Sequence, residues 1–462
     1  MEHVDAIVIG AGMAGIPLAI RLGRKGLHTL LVEKDTLGGT CLNRGCIPTK
    51  TLIASAKVAH QVRRALEYGV VIEGPVRFDL ARAVARKDAL VRAIREGAAR
   101  NLERTPNVEL IQGEARFVEE RTVAVGDRVY RAEWVFINTG ARGRIPPIEG
   151  LETVDWLDST TALDLTELPA SLVIVGGGYI GCEFAQMFRR FGSEVTIVQR
   201  APQLLPQEDP DVAAALQAVL EAEGIRVLLE AEAVRVRRDG SGIALTVQQR
   251  DAVREVRAAR LMLAAGRVPN TDGLGLEATG VARDERGFIR VNPHLETTAP
   301  KVFALGDVRG GPMFTHTARD DARIVYQNLT KGAALSIEGR VVPYAVFTDP
   351  QLGRVGLTET AARQAGYPVE VGTYAMNKVA KARALGEPEG LIKIVADARN
   401  GRILGASVLA AEGAELVHEL VVAIQAGATH QDLRDAIHIH PTLAEGISSA
   451  LGGVHRAASD AG

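Results

Sequence analysis

Apolar residues along this chain gather into short, nearly continuous runs, separated by stretches of helical period, and glycines mark most of the changeovers. Val4 to Ile9 has the length and continuity of a buried parallel strand, and Ile16 to Lys25 has helical spacing. Thr29 to Val32 reads as a second strand. The order recurs further along, with a strand at Ser171 to Val175 and a helix at Glu183 to Phe191. Strand-plus-glycine segments follow at Val135–Gly140, Leu261–Arg267 and Val302–Asp307. From about residue 342, strand and helix patterns alternate again, as in 390–396 and Ala414 to Ala426. Strands alternating with helices predict an α/β protein with parallel sheets.

Both repeats run from strand to helix through the same turn, Gly10-Ala-Gly12-Met-Ala-Gly15 and Gly176-Gly-Gly178-Tyr-Ile-Gly181. The first glycine permits the turn, the second lets the backbone approach a pyrophosphate, and the third allows close helix packing. The helix N-terminus favours the negative charge. One such turn is weak evidence, but two in the same setting imply two bound dinucleotides. Glu33 lies 23 residues after Gly10, where a carboxylate accepts hydrogen bonds from both ribose hydroxyls of an adenosine. The same count from Gly176 reaches Gln199, followed by Arg200. A carboxylate there would repel the 2′-phosphate of NADP, whereas a neutral Gln beside an Arg accommodates it, so the second site leans towards NADPH over NADH. The plainer alternative makes Arg200 a solvated loop residue.

At 462 residues the chain exceeds a single core and suggests about three domains. A net charge of −2, without a basic tract interleaved with aromatics, gives no support to nucleic-acid or membrane-surface binding. Small molecules are the expected partners. The N-terminal residues lack a basic leader and no apolar run reaches about 18 residues, so a cytoplasmic location is expected.

Three cysteines cannot build a disulfide framework, and in a reducing compartment the close pair Cys41 and Cys46 reads as catalytic rather than structural. Five helical steps rise roughly 7.5 Å, beyond the usual disulfide Cα range of about 4.4–6.8 Å. A bond between them therefore needs a distorted turn, for which Gly45 and Pro48 supply freedom and an interruption ahead of a helical run through Leu66. Zinc asks for about four ligands, and the remaining cysteine, Cys182, suits small-residue packing after the second turn, so no metal site is expected.

The run Gly38-Gly-Thr-Cys41-Leu-Asn-Arg-Gly-Cys46-Ile-Pro-Thr-Lys50 resembles the active-site signature of the class I pyridine nucleotide-disulfide oxidoreductases, the group of dihydrolipoamide dehydrogenase, glutathione reductase and mercuric reductase. The resemblance covers nearly the whole chain. It implies an enzyme with two Rossmann-like domains, one for FAD and one for NAD(P), and an α+β C-terminal dimerisation domain. The implied division is 1–148 and 272–341 for FAD, 149–271 for NAD(P), and 342–462 for dimerisation, with no N-terminal metal-binding domain. Electrons would pass from NAD(P)H through FAD to a Cys41–Cys46 disulfide. Cys41 would be the interchange thiol and Cys46 the thiol against the flavin. Lys50 would sit near the flavin N5 and pair with Glu183, and a nearby cation would favour the nucleophilic thiolate.

The segments ending in Gly140, Gly266-Arg267 and Asp307 resemble family segments, and Asp307 would meet the ribityl chain of FAD. A helix-capping Asp is the structural alternative. Gly181 points away from NADPH, because some NADPH-using relatives carry alanine there. His440 and Glu445 resemble the disulfide-reductase proton-transfer dyad, with His440 acting across a homodimer interface on the other subunit's Cys41, so that two subunits share each active site. Mercuric reductases typically carry Tyr at that position and a C-terminal cysteine pair, which the tail Ser459–Gly462 lacks. The segment Phe314–Asp321 is similar to a branch near mercuric reductase that includes a copper-reducing, oxidant-defence enzyme. Thr317, where dihydrolipoamide dehydrogenases usually have Lys, weakens that assignment. His316 reads as a buried structural residue. A disulfide acceptor leads, metal-ion reduction and lipoamide are the enzyme alternatives, and a flavin-binding redox sensor is the non-enzyme one.

Overall fold

In the computed structural model, which describes residues 1–250 and 252–456, the first apolar run is the strand Glu2–Ile9. It lies between the parallel strands Thr29–Glu33 and Arg128–Ile137, and Val108–Gln112 extends the sheet beyond Thr29–Glu33. Ala6, Ile7 and Val8 are fully buried, which explains a run without alternation: both faces of this sheet are covered. Arg128–Ile137 serves two neighbours. Its first half continues an antiparallel meander with Thr122–Val125 and Ala115–Glu119, and its second half pairs in parallel with Val302–Ala304. The chain thus completes its first sheet only after building a second.

That second sheet is wholly parallel and five-stranded. Ser171–Val175 has Glu194–Val198 and then Arg226–Leu228 on one side, and Arg260–Leu263 and then Trp156–Leu157 on the other. A three-stranded antiparallel meander spans 231–258. Where the chain crosses between the two sheets, Ala141–Gly143 and Arg267–Pro269 pair antiparallel. The C-terminal region is a six-stranded antiparallel sheet with the helices Gly413–Ala426 and Glu445–Gly452 beside it. The tail Ser459–Gly462 lies outside the described residues.

Two elements differ from the sequence reading. The helix of the second repeat spans Tyr179–Phe191, four residues longer at its start, because Gly178 already serves as its N-cap. The helix after Cys46 stops at Arg63 instead of running through Leu66, and a 3₁₀ turn follows over Ala65–Tyr68. Tertiary ties account for the break: Arg64 donates to Glu67 and to the carbonyl of Gly386, and the Tyr68 hydroxyl donates to the carbonyl of Leu385.

Candidate active site

The two glycine turns close in the same way. Gly10 and Gly176 have φ of +103° and +114°, and a Cβ on either would lie 2.4 Å from a backbone carbonyl of the neighbouring strand's exit, Asn138 O or Ala264 O. A Cβ on Gly15 or Gly181 would fall 2.0 or 1.9 Å from the carbonyl of Gly10 or Gly176. Only a residue without Cβ fits these positions as they stand. Gly178 meets nothing within 4 Å, and Gly12 meets only the Asn138 amide nitrogen, so the space a pyrophosphate needs is open at both turns. Neither following helix, Gly15–Arg24 or Tyr179–Phe191, has a side-chain cap, which leaves its first N–H groups for an anion. The residues present therefore fit two dinucleotides.

Beyond each turn the second strand sends back a side chain. Glu33 Oε2 accepts from the Ala11 N–H at 2.8 Å, and Gln199 Oε1 accepts from the Gly177 N–H at 3.0 Å. The counting that paired these residues thus has a shared geometry beneath it. They differ in what they leave over: the Gln199 amide nitrogen donates inward to Gln203 O and presents no carboxylate. Arg200 is 78% exposed, 3.9 Å from Glu232. Gly140 and Gly266 occupy matching places after the third strand of each repeat, both at positive φ.

Cys41 lies in the short helix Gly39–Asn43 and Cys46 opens the helix Cys46–Arg63. The chain between them breaks at Arg44 and Gly45, the distorted turn that a bond requires. Gly45 supplies it, with φ −140° and ψ −116°, while Pro48 sits inside the first turn of the second helix instead of interrupting it. Both cysteines are thiols here, Cys46 exposed and Cys41 partly covered.

Their titrations separate. A hydrogen bond from the Cys41 thiol, supported by Thr315 and the Lys50 ammonium, lowers Cys46 to about 6, while that same bond and burial push Cys41 upward. The Lys50 ammonium therefore favours the thiolate at Cys46. In reduced protein we expect the thiolate absorbance of the pair to be lost as pH falls through about 6, read by ultraviolet titration. Lys50→Met should move that midpoint upward.

Lys50 Nζ lies 2.7 Å from Glu183 Oε2 and over the Phe347 ring, and the other Glu183 oxygen accepts from the Phe347 N–H at 2.9 Å. One buried carboxylate thus ties the cysteine helix, the second nucleotide unit and the C-terminal region. Asp307 is inside the 3₁₀ turn Gly306–Arg309 and caps nothing. Buried Asp321 performs that service, accepting from the Gly306 N–H at 2.9 Å and from Arg309 at 2.8 Å. Burial raises the Asp307 carboxyl, opposed by Arg267 4.0 Å away.

His440 Nδ1 and Glu445 Oε1 are 2.8 Å apart, and Glu445 Oε2 accepts from the Thr442 N–H. The His440 ring is 71% exposed, and no hydrogen bond among the described residues joins it to Cys41 of its own chain. His316, read from sequence as buried, is exposed. Its ring stacks on Phe314 at 5.4 Å and bonds the carbonyl of Pro343, a placement set by the aromatic row Tyr344–Phe314–His316. Cys182 is fully buried, with its thiol pushed up to about 12, as its packing position predicted.

Sequence reasoning missed three contributors. Thr315 Oγ1 lies 3.5 Å from Cys46 Sγ, Phe347 holds Glu183, and the Asn138 amide bonds the Gly10 carbonyl at 3.1 Å. Asn138 and Thr315 sit within segments already singled out, so a closer reading could have reached them. Phe347 carried no local signal.

A family model for pyridine nucleotide-disulphide oxidoreductases matches residues 4–322, and one for the dimerisation domain of the same family matches residues 342–451. The dihydrolipoyl dehydrogenase of Thermus scotoductus is 40% identical, with 99% of each chain covered. A probable pyridine nucleotide-disulfide oxidoreductase of Escherichia coli, RclA, is 37% identical over 97% of this chain and 98% of its own. The mercuric reductase of Lysinibacillus sphaericus is 34% identical over 97% of this chain and 82% of its own. A solved structure of the HOCl-induced flavoprotein disulfide reductase RclA from E. coli, as a Cu(II) complex, has a TM-score of 0.89 at 37% identity, covering 98% of this chain and 99% of that one. With both nucleotide turns, the broken helix that carries the thiols and matches along nearly its full length, the chain belongs to the class I pyridine nucleotide-disulfide oxidoreductases, flavin-dependent enzymes that use NAD(P)H, and carries their dimerisation domain.

Proposed function

We propose that this enzyme reduces a disulfide at the expense of NADPH, through the pair Cys41 and Cys46. The observation that carries the reading is the asymmetry around the two thiols: the Cys41 thiol, Thr315 Oγ1 at 3.5 Å and Lys50 all favour a thiolate at Cys46, while the bond to Cys46 and burial disfavour one at Cys41, which therefore needs an outside base. FAD binds at the first glycine turn, beside Glu33 and Asp307, and the reduced dinucleotide binds at the second, in domains divided as the sequence suggested. When bound, FAD would supply the two-electron chemistry that links the reduced dinucleotide to sulfur.

The remaining steps belong to the chain. His440 of the partner subunit, oriented by Glu445, removes the Cys41 proton, and the Cys41 sulfur attacks the acceptor disulfide. The acceptor S–S bond breaks and its first thiolate takes the proton from His440. Cys46 then attacks Cys41 Sγ, closing the internal disulfide and releasing the second sulfur as a thiolate, which takes its proton from water. Two electrons leave the pair and reduce one acceptor. Lys50, fixed by Glu183, keeps Cys46 ionised for that attack.

NADPH preference rests on Gln199 turning its amide inward and leaving Arg200 free to meet a 2′-phosphate. Arg200→Ala should raise KM for NADPH about tenfold with kcat unchanged, and Gln199→Glu should favour NADH. A second reading, reduction of a metal ion such as Cu(II), is supported by the solved structure of RclA, which is a Cu(II) complex. The test is a steady-state assay of purified protein with each dinucleotide, offering lipoamide, glutathione disulfide, mercuric ion or cupric ion. Turnover of a metal ion with none of any disulfide would replace the proposal with the second reading.

A further inference from the structure

A cleft of about 300 Å³ opens between the short helix Gly39–Asn43 and the long helix Leu80–Glu103, lined by Arg44, Lys87, Arg92 and Arg95 against Asp88 and Asp164. That volume is at the lower end for small-molecule sites. Both carboxylates are already engaged: buried Lys87 reaches Asp88 at 2.9 Å and Asp164 at 2.8 Å, and it also donates to the carbonyl of Leu163. Arg44 pairs with Asp35. The remaining cations are Arg92 and Arg95, three positions apart on one helix face. Arg92 has no ion-pair or hydrogen-bond partner among the described residues. Arg95 meets only the Asn43 side-chain oxygen, at a long 3.4 Å.

Two guanidinium groups with unspent donors, in a concave polar site lined by four cations and two carboxylates, match a phosphate or carboxylate. The cleft also touches the redox loop. The Asn43 amide nitrogen donates to the carbonyls of Leu37 and Gly39, both at 3.0 Å, and so holds the chain that leads into Cys41. Asn43 is two positions from Cys41, roughly 200° round a helix, so a ligand in the cleft meets this loop from the face away from the sulfur.

We infer that the cleft binds a small multivalent anion, a phosphate or carboxylate, held by Arg92 and Arg95. The ligand is distinct from both dinucleotides. Nothing in the inference depends on which acceptor the thiols reduce. FAD-loaded protein titrated with inorganic pyrophosphate at constant ionic strength, followed by calorimetry, should show saturable binding. The R92A/R95A variant, which changes exposed Arg92 and half-buried Arg95, should lose at least tenfold in affinity, whereas any pyrophosphate held at the second glycine turn is unaffected by it. A parallel citrate titration separates phosphate from carboxylate recognition, and dependence of either on the two arginines upholds the site. Absence of saturable binding of both anions to the unaltered protein, or unchanged affinity in the variant, overturns it.

Discussion

Cys41→Ser protein should bleach its flavin with NAD(P)H at the unaltered rate and yet reduce disulfides on the order of 10³-fold more slowly, or not at all. The serine hydroxyl replaces the sulfur proposed to attack the acceptor, while Cys46, Lys50 and Glu183 remain in place. Anaerobic stopped-flow separates the two half-reactions. Disulfide reduction that survives the change would remove Cys41 from the role proposed for it. Cys41→Ala, which unlike serine leaves no donor, also deletes the hydrogen bond that contributes most to ionising Cys46. The Cys46 midpoint should therefore rise in that protein, a spectroscopic shift independent of turnover.

The second large effect concerns His440. Among the described residues no base is hydrogen-bonded to Cys41, whose thiol is held protonated by its bond to Cys46 and by burial, and no hydrogen bond joins the exposed His440–Glu445 pair to either cysteine. His440→Ala should lower disulfide turnover by about 10²–10⁴-fold and leave reduction of the cysteine pair by NAD(P)H intact. A mixed dimer of one Cys41→Ser chain and one His440→Ala chain decides where the imidazole acts. If it crosses the interface, the mixed dimer keeps one competent site. If each site is built from a single chain, the mixed dimer is as inactive as its parents.

The nucleotide turns were legible in sequence because their chemistry is local. Steric demands at Gly10, Gly15, Gly176 and Gly181 arise within a few residues of each turn, and the fixed count to Glu33 and Gln199 reflects a strand-helix-strand unit of constant length. The division of charge between the thiols was not legible. It depends on Thr315 and on Lys50, whose position is set by Glu183 and Phe347 from two distant parts of the chain. Proximity of a cation suggested a stabilised thiolate, and only the fold specifies that Lys50 acts on Cys46. His316 misled for a similar reason: an aromatic row with Phe314 and Tyr344 places its ring at the surface.

The electron path is tested most directly by differential alkylation. The oxidised, FAD-loaded protein is blocked with one alkylating reagent, reduced anaerobically with NADPH, treated with a second reagent and mapped by mass spectrometry. The account predicts that the second label appears on Cys41 and Cys46 together and never on buried Cys182. A protein that oxidises NADPH with a disulfide acceptor while Cys41 and Cys46 carry only the first label would contradict it.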